Sequence, residues 1–425
     1  MKTLSAPVLS STPAHAAARA EVELLLCCAR TKLDATQRER VQYLLTLELD
    51  WKLIIVLATQ HRVLALLFHN LKQIAPHQIP SAVLAHLQTF FSTHTFRNLN
   101  QAAEIIRLIN LLKQHDIPAI PFKGPTLALN IYGDIKLRQF DDLDILVSPS
   151  DFLKTRQVLM TEGGYQRPTP SPFLIPEQEI AHLHAEYECS LMHATRKTLI
   201  DLHQNLTGGT FIWYPFDVQD LGAQLAPVSQ TDGLLTLSTE DLLLYLCTHG
   251  AKSLWQRLVW ICDVAELVNG SPNLNWEQLL QKAQSVKLER MLLLGLQLAH
   301  RVLGTALPTL VSERIDTDPA VKALAQQVEQ RIVAGECGLT QKFTLDVLWF
   351  QCRAIADPQE QVQYCLRCFH RHGIVPIKRL FTPTKKDWIF IQLPKRLYGL
   401  YYLIRPARLL GNATRKTWKN TQNIS

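Results

Sequence analysis

The sequence predicts an α+β protein in which a strand-bearing segment lies between two helical regions. Apolar residues recur at helical spacing through residues 14–115, and again from Thr239 onward. Between them, short apolar runs are bounded by proline and glycine, the punctuation expected of buried strands. At 425 residues, 47% hydrophobic and 19% charged, the chain has the length and composition of a globular protein of two or three domains.

The elements follow in order. Asp50 is placed to cap a helix through DWKLIIVLATQHRVLALLFHNL, and a long helix is predicted from about Ala82 to His115. IPAIPFKGP, from Ile117, reads as a buried strand, and TLALNIYG as a short helix closed by Gly133. DDLDILV is a second strand, after which Pro149-Ser150-Asp151 opens a helix. A hairpin is predicted next, with YECSLMHA and TLIDLHQNL meeting at a turn around Thr195-Arg196. The second helical region begins with STEDLLLYLCTHGAKSLWQRLVWICDVAELV, capped by Ser238 or Thr239 with Asp241 in its first turn. The expected divisions are a helical region over 1–115, a strand-bearing core over 116–220, a helical domain over 221–370 and a basic tail over 371–425. No internal repeat or low-complexity segment interrupts them.

Charge separates the tail from the rest. Residues 371–425 hold twelve Lys or Arg against one acid, Asp387, and so carry +11; of the overall +7, the other 370 residues therefore contribute −4. Within the tail, KRLYGLYYLIRPARLL mixes aromatic and aliphatic residues with Lys395, Arg396, Arg405 and Arg408. Docking on the protein's own helices is the first expectation for residues 390–410. Peripheral contact with an anionic membrane surface is the second, and nucleic acid the third.

The nine cysteines are odd in number and form no framework, which fits reduced thiols and a cytoplasmic protein. The N-terminus lacks the apolar core of a signal peptide, and no apolar run reaches the length of a membrane span. Cys365-x-x-Cys368 precedes His370 and His372, but four zinc ligands within eight residues are too cramped; a reduced helical pair is expected instead. HGAKSLWQ, with His249 and Trp255, reads as helix packing.

The chemistry is carried by RQFDDLDILV, Arg138 to Val147. Side chains alternate along a strand, so Asp142, Asp144 and Leu146 share one face while Leu143, Ile145 and Val147 share the other. In TLIDLHQNL, Asp201 and His203 likewise share a face. If the hairpin lies beside the DDLDILV strand, Asp201 meets Asp142 and Asp144. Three convergent carboxylates suit a hard divalent cation, which prefers oxygen ligands. Magnesium or manganese there would activate an attacking hydroxyl and neutralise a triphosphate. Upstream, Lys123-Gly124 stands where a strand hands over to a helix. Gly124 permits close backbone approach, the helix N-terminus attracts phosphate, and Lys123 can meet it as a point charge. Arg138 is placed to contact phosphate or hold a carboxylate.

Plainer structural roles are open to the same residues. Asp141 points away from the pair and reads as a solvated strand-start residue. Asp142 and Asp144 can cap a turn or pair with Arg138. His203 can bond its strand neighbours, and Lys123 can snorkel from a core edge.

Lys123-Gly124, Tyr132-Gly133, Arg138, Asp142-x-Asp144 and Asp201-x-His203, in that order, resemble the uncharacterised nucleotidyltransferase family of the polymerase-β-like superfamily. DWKLIIVLATQHRV resembles that family's N-terminal helical segment, HGAKSLWQRLVWICDVAEL its downstream helix, and RLYGLYYLIRPARLL an ending seen in some members. The resemblance implies a nucleotidyltransferase core over 116–220, built as a small mixed sheet with helices on one side. It implies that Asp142 and Asp144 bind metal, and that Asp201 completes the site as ligand or base. The wider superfamily has Gly-Ser where this chain has Lys123-Gly124, so the serine contact to phosphate is missing.

The expected reaction moves a nucleoside monophosphate from a nucleoside triphosphate to an acceptor hydroxyl and releases pyrophosphate. The acceptor class, whether small molecule, protein or RNA, is not written in the sequence. Two alternatives use the same residues. One is a glycosyltransferase with an Asp-x-Asp metal site, and the other is a non-catalytic nucleotide-binding scaffold.

Overall fold

The computed structural model describes residues 19–168, 188–206, 225–336 and 344–370, with a few single positions between 391 and 408. Two compact units divide after Pro358.

The first unit opens with helices α1 (Ala20–Cys28), α2 (Ala35–Leu44), α3 (Trp51–Gln60), α4 (Leu64–Ile74) and the long α5 (Ser81–Gln114). Asp50 caps α3 by accepting the Leu53 N–H at 3.0 Å. The apolar stretch expected as one helix from Asp50 is two. It breaks at Arg62, which has φ +58°. Local propensity favours continuing, but His61 docks elsewhere: its Nδ1 accepts the Leu258 N–H and its carbonyl accepts the Val259 N–H.

The sheet follows. Its elements are β1 (Ala119–Pro121), α6 (Pro125–Tyr132), β2 (Asp142–Val147), α7 (Phe152–Thr161), β3 (Tyr165–Gln166), β4 (Glu188–His193) and β5 (Leu199–His203). The strand order is β1-β2-β5-β4-β3. Strands β2 and β5 run parallel and the other pairs antiparallel, so the sheet is small and mixed. One face is apolar: Leu143, Ile145, Val147, Ile200 and Leu202 pack under α5 and α7. Each such side chain contributes about 1.5–3 kcal/mol by leaving water. That packing fixes the register, because a slip of one residue would turn the aspartates into the core.

A two-stranded ribbon, β6 (Ala226–Pro227) and β7 (Leu235–Thr236), leads into α8 (Thr239–Lys252) and α9 (Leu258–Gly270). Ser238 caps α8 by accepting the Asp241 N–H at 3.2 Å. The helical run expected to continue from Thr239 breaks at Leu254 and Trp255, both left-handed. Trp255 turns back and buries its indole against Gly250 and Gly295, where a β-carbon would collide with the ring or with Cys247. Five further helices complete the described part of this unit: α10 (Trp276–Ser285), α11 (Glu289–Leu303), α12 (Thr309–Thr317), α13 (Pro319–Val333) and α14 (Leu345–Ala354).

In the second unit, residues 359–368 belong to α15 (Pro358–Cys368), on which Cys365 and Cys368 are thiols and not a disulfide. His372 and most of the 390–410 stretch lie outside the described residues. Among the described residues, no helix is long and apolar enough to cross a membrane.

Candidate active site

The end of β1 is tied to β2 by the Phe122 N–H, which reaches the Asp144 carbonyl at 3.4 Å. The chain then turns through Lys123-Gly124 into α6. Gly124 has φ +55° and ψ −123°, and a β-carbon there would come within 3.0 Å of the Asp142 carbonyl. Only glycine fits both constraints. Pro125 suits the first helical turn, and Gly133, at φ +68°, closes α6.

This turn delivers Lys123 Nζ to within 2.9 Å of Asp144 Oδ1. The ammonium also lies 5.3 Å from the Tyr245 ring centroid, so α8 reaches over the polar face of the sheet. Burial opposes the charge on Lys123, but Asp144 and Tyr245 outweigh it and hold the amine protonated. Asp144 is itself 2% exposed. Burial works against its ionisation too. Lys123 and the hydrogen bond from His203 Nε2, 3.1 Å from the same Oδ1, prevail and keep the carboxyl well below its usual range. The other oxygen, Asp144 Oδ2, is buried with no hydrogen-bond partner.

The parallel register sets Asp144 opposite Asp201, and Asp142 opposite Leu199. Asp142, Asp144, Asp201 and His203 therefore share the polar face. Asp201 Oδ1 accepts a 2.6 Å hydrogen bond from Ser190 Oγ. Burial, and the negative charge of Asp144, raise the carboxyls of both Asp142 and Asp201 above their ordinary range. Glu188 stands opposite His203 on β4, with its Oε2 3.8 Å from His203 Nδ1.

Two expected partners differ. Arg138 holds neither strand aspartate: its guanidinium grips Asp263 on α9 with bonds of 2.7 and 2.8 Å, and Tyr132 Oη donates to the same carboxylate at 2.7 Å. Asp141 is not simply solvated; it is ion-paired with both Arg62 and Arg97. Both differences come from segments distant in sequence that supply the nearer partner.

A cavity of about 100 Å³ opens among these groups, lined by Lys123, Gly124, Arg138, Asp142 and Asp144 from the sheet and its turns and by Arg62, His249, Arg257, Trp260 and Asp263 from the helical segments. The second set was not singled out in the sequence as a site. His249 and its neighbours read there as packing. One clue was present: Asp263 interrupts the apolar run VWICDVAEL, and a carboxylate buried in such a run needs a cation. Burial holds the His249 imidazole neutral.

Among the described residues, no three His, Cys, Asp or Glu are gathered closely enough to hold a metal ion as they stand. The donor chemistry nonetheless fits one. Asp144 Oδ2 is an orphaned buried acceptor, and Asp142 is a crowded carboxylate two residues away on the same face. Asp201 accepts the Ser190 hydroxyl on Oδ1, so its other carboxylate oxygen would be the one to join them.

Residues 48–304, more than half of the chain, match the family model described as an uncharacterised nucleotidyltransferase. No curated protein and no solved structure matches.

Proposed function

The chain belongs to the uncharacterised nucleotidyltransferase family, and from that premise we propose that it transfers a nucleoside monophosphate from a nucleoside triphosphate to an acceptor hydroxyl with a divalent metal. The observation that carries the reading is the placement of Asp142, Asp144 and Asp201 on one face of parallel strands, beside Lys123 at a strand-to-helix turn. Family membership favours nucleotidyl transfer over the glycosyltransferase and scaffold alternatives.

Asp142 and Asp144 would hold magnesium or manganese. When bound, the ion would offset triphosphate charge and ease ionisation of the acceptor hydroxyl. Gly124 lines the cavity at the start of α6, where backbone N–H groups would meet a phosphate, and Lys123 would share its charge between Asp144 and that phosphate. The acceptor oxygen bonds to the α-phosphorus, the bond to the bridging oxygen breaks, and pyrophosphate leaves with the electron pair. Asp201 takes the hydroxyl proton; its raised pKa makes it a better base than an exposed aspartate.

The reading is tested by incubating the pure protein with each labelled triphosphate, magnesium or manganese, and a cell extract. Labelled monophosphate on an acceptor, absent with Asp142→Asn, is expected. Binding of triphosphate with no labelled acceptor under either metal would contradict it.

A further inference from the structure

The cavity lined by Asp142 and Asp144 is also lined from outside the sheet, by Arg62 between α3 and α4 and by Arg257 and Trp260 at the start of α9. Arg62 holds a left-handed backbone at φ +58°. Non-glycine residues keep such a conformation only where surrounding structure enforces it, and such positions cluster at functional sites. The enforcing contact is His61, which accepts the Leu258 N–H at 3.1 Å on Nδ1 and the Val259 N–H at 3.2 Å on its carbonyl. The same two bonds set Arg62 against the segment that carries Arg257.

Charge points the same way. Asp141 is ion-paired with Arg62 and Arg97 and also lies in the field of Arg257. Among the described residues, Arg62 and Arg97 share this one carboxylate, so the two carry more positive charge than it cancels. The Arg257 guanidinium lies 5.5 Å from the Trp260 ring centroid, a contact that orients its planar fork. The cavity they line is also lined by Asp144, whose Oδ2 has no partner. Guanidinium groups and carboxylates lining one cavity are the arrangement that a metal-bound polyphosphate would bridge.

We propose that Arg62 and Arg257 form a guanidinium clamp for the β- and γ-phosphates of the triphosphate, the part that leaves as pyrophosphate. The proposal rests on the transferase reading above and adds the residues that select triphosphates over monophosphates. Guanidinium forks suit the task because they meet phosphate oxygens two at a time.

The test uses the full-length protein with magnesium and titration calorimetry. Wild type, Arg62→Gln, Arg257→Gln and Arg257→Lys are each titrated with ATP, GTP, CTP and UTP, with the matching monophosphates, and with inorganic tripolyphosphate. Wild type should prefer a triphosphate to its monophosphate and should bind tripolyphosphate. Each Gln variant should lose roughly tenfold or more in affinity for both triphosphate and tripolyphosphate, with monophosphate affinity unchanged. Arg257→Lys should fall between, keeping the charge without the fork. Thermal melts verify folding, and Arg257→Gln decides the matter if Arg62→Gln does not fold. Folded Gln variants that keep the wild-type preference for triphosphate would overturn the clamp and leave the transferase reading standing. A wild-type protein that binds no triphosphate would overturn both.

Discussion

Asp144 and Asp201 stand opposite one another across the parallel pair β2 and β5, the first in a buried contact with Lys123 and the second against Ser190. They are 57 positions apart in the chain, yet register puts them side by side on one polar face. Their environments push them in opposite directions, Asp144 toward permanent ionisation and Asp201 toward basicity. In the proposed reaction this divergence would give them different work, one to hold charge and one to move a proton.

Asp142 is the more accessible member of the proposed metal pair, and burial and Asp144 both disfavour its charge. Asp142→Asn should therefore fold with stability equal to or slightly above wild type in the absence of metal. Magnesium with a triphosphate at a hundredfold excess over its dissociation constant should stabilise wild type by about 2.7 kcal/mol. Thermal melts should show that gain reduced or abolished in Asp142→Asn. An undiminished gain would remove Asp142 from the metal site.

Lys123 has two roles to lose. Lys123→Met strips Asp144 of its nearest cation and should destabilise the fold by about 3–5 kcal/mol, as loss of one partner of a buried pair does. It should also weaken triphosphate binding. Lys123→Arg should recover part of both. Urea melts and calorimetry that place Lys123→Met level with wild type would show that the lysine anchors neither carboxylate nor phosphate.

Asp263 is wholly buried and satisfies Arg138 and Tyr132 together. Asp263→Ala leaves a buried guanidinium without its counter-charge, at a cost of about 3–5 kcal/mol. The double variant Asp263→Ala with Arg138→Met should be more stable than Asp263→Ala alone, because it removes the stranded charge. The opposite order in urea melts would mean that Arg138 finds another partner.

Acid should destabilise the protein through His61 and His94. Burial holds both pKa values down to about 4, and Arg97 adds to the effect at His94. A depressed folded-state value gives stability that is complete above the ordinary 6.5 and is lost as pH falls toward 4. Each histidine should account for about 2 kcal/mol between pH 7.5 and 5. Urea melts at the two pH values should show a smaller difference in His61→Gln and in His94→Gln. An unchanged difference in both would place the acid sensitivity elsewhere.

The local features were legible because local physics sets them. Asp142 and Asp144 alternate with Leu143 and Ile145, so one face had to be polar and the other buried. Gly124 and Gly133 stand where a turn and a helix end need a left-handed backbone. What could not be read is what distant segments decide. The breaks at Arg62 and at Leu254-Trp255 fall inside sequences with helical periodicity; His61 bonding to α9 and the burial of Trp255 override it. Arg138 finds Asp263 across 125 positions, and no spacing rule links them. The site was therefore half visible: its sheet wall was written in alternation, while its helical wall depended on docking.

The central claim, that the carboxylate opposite Asp144 takes the acceptor proton, is tested most directly by transfer activity in Asp201→Asn. Asparagine keeps the shape and can still accept the Ser190 hydroxyl, so folding should be near normal and triphosphate binding only modestly weakened. Single-turnover transfer of labelled monophosphate should fall by about a hundredfold or more. Transfer at the wild-type rate in a folded Asp201→Asn variant would contradict the account and move the base to another acid, with Glu188, beside His203, the first to examine; Glu186 lies outside the described residues.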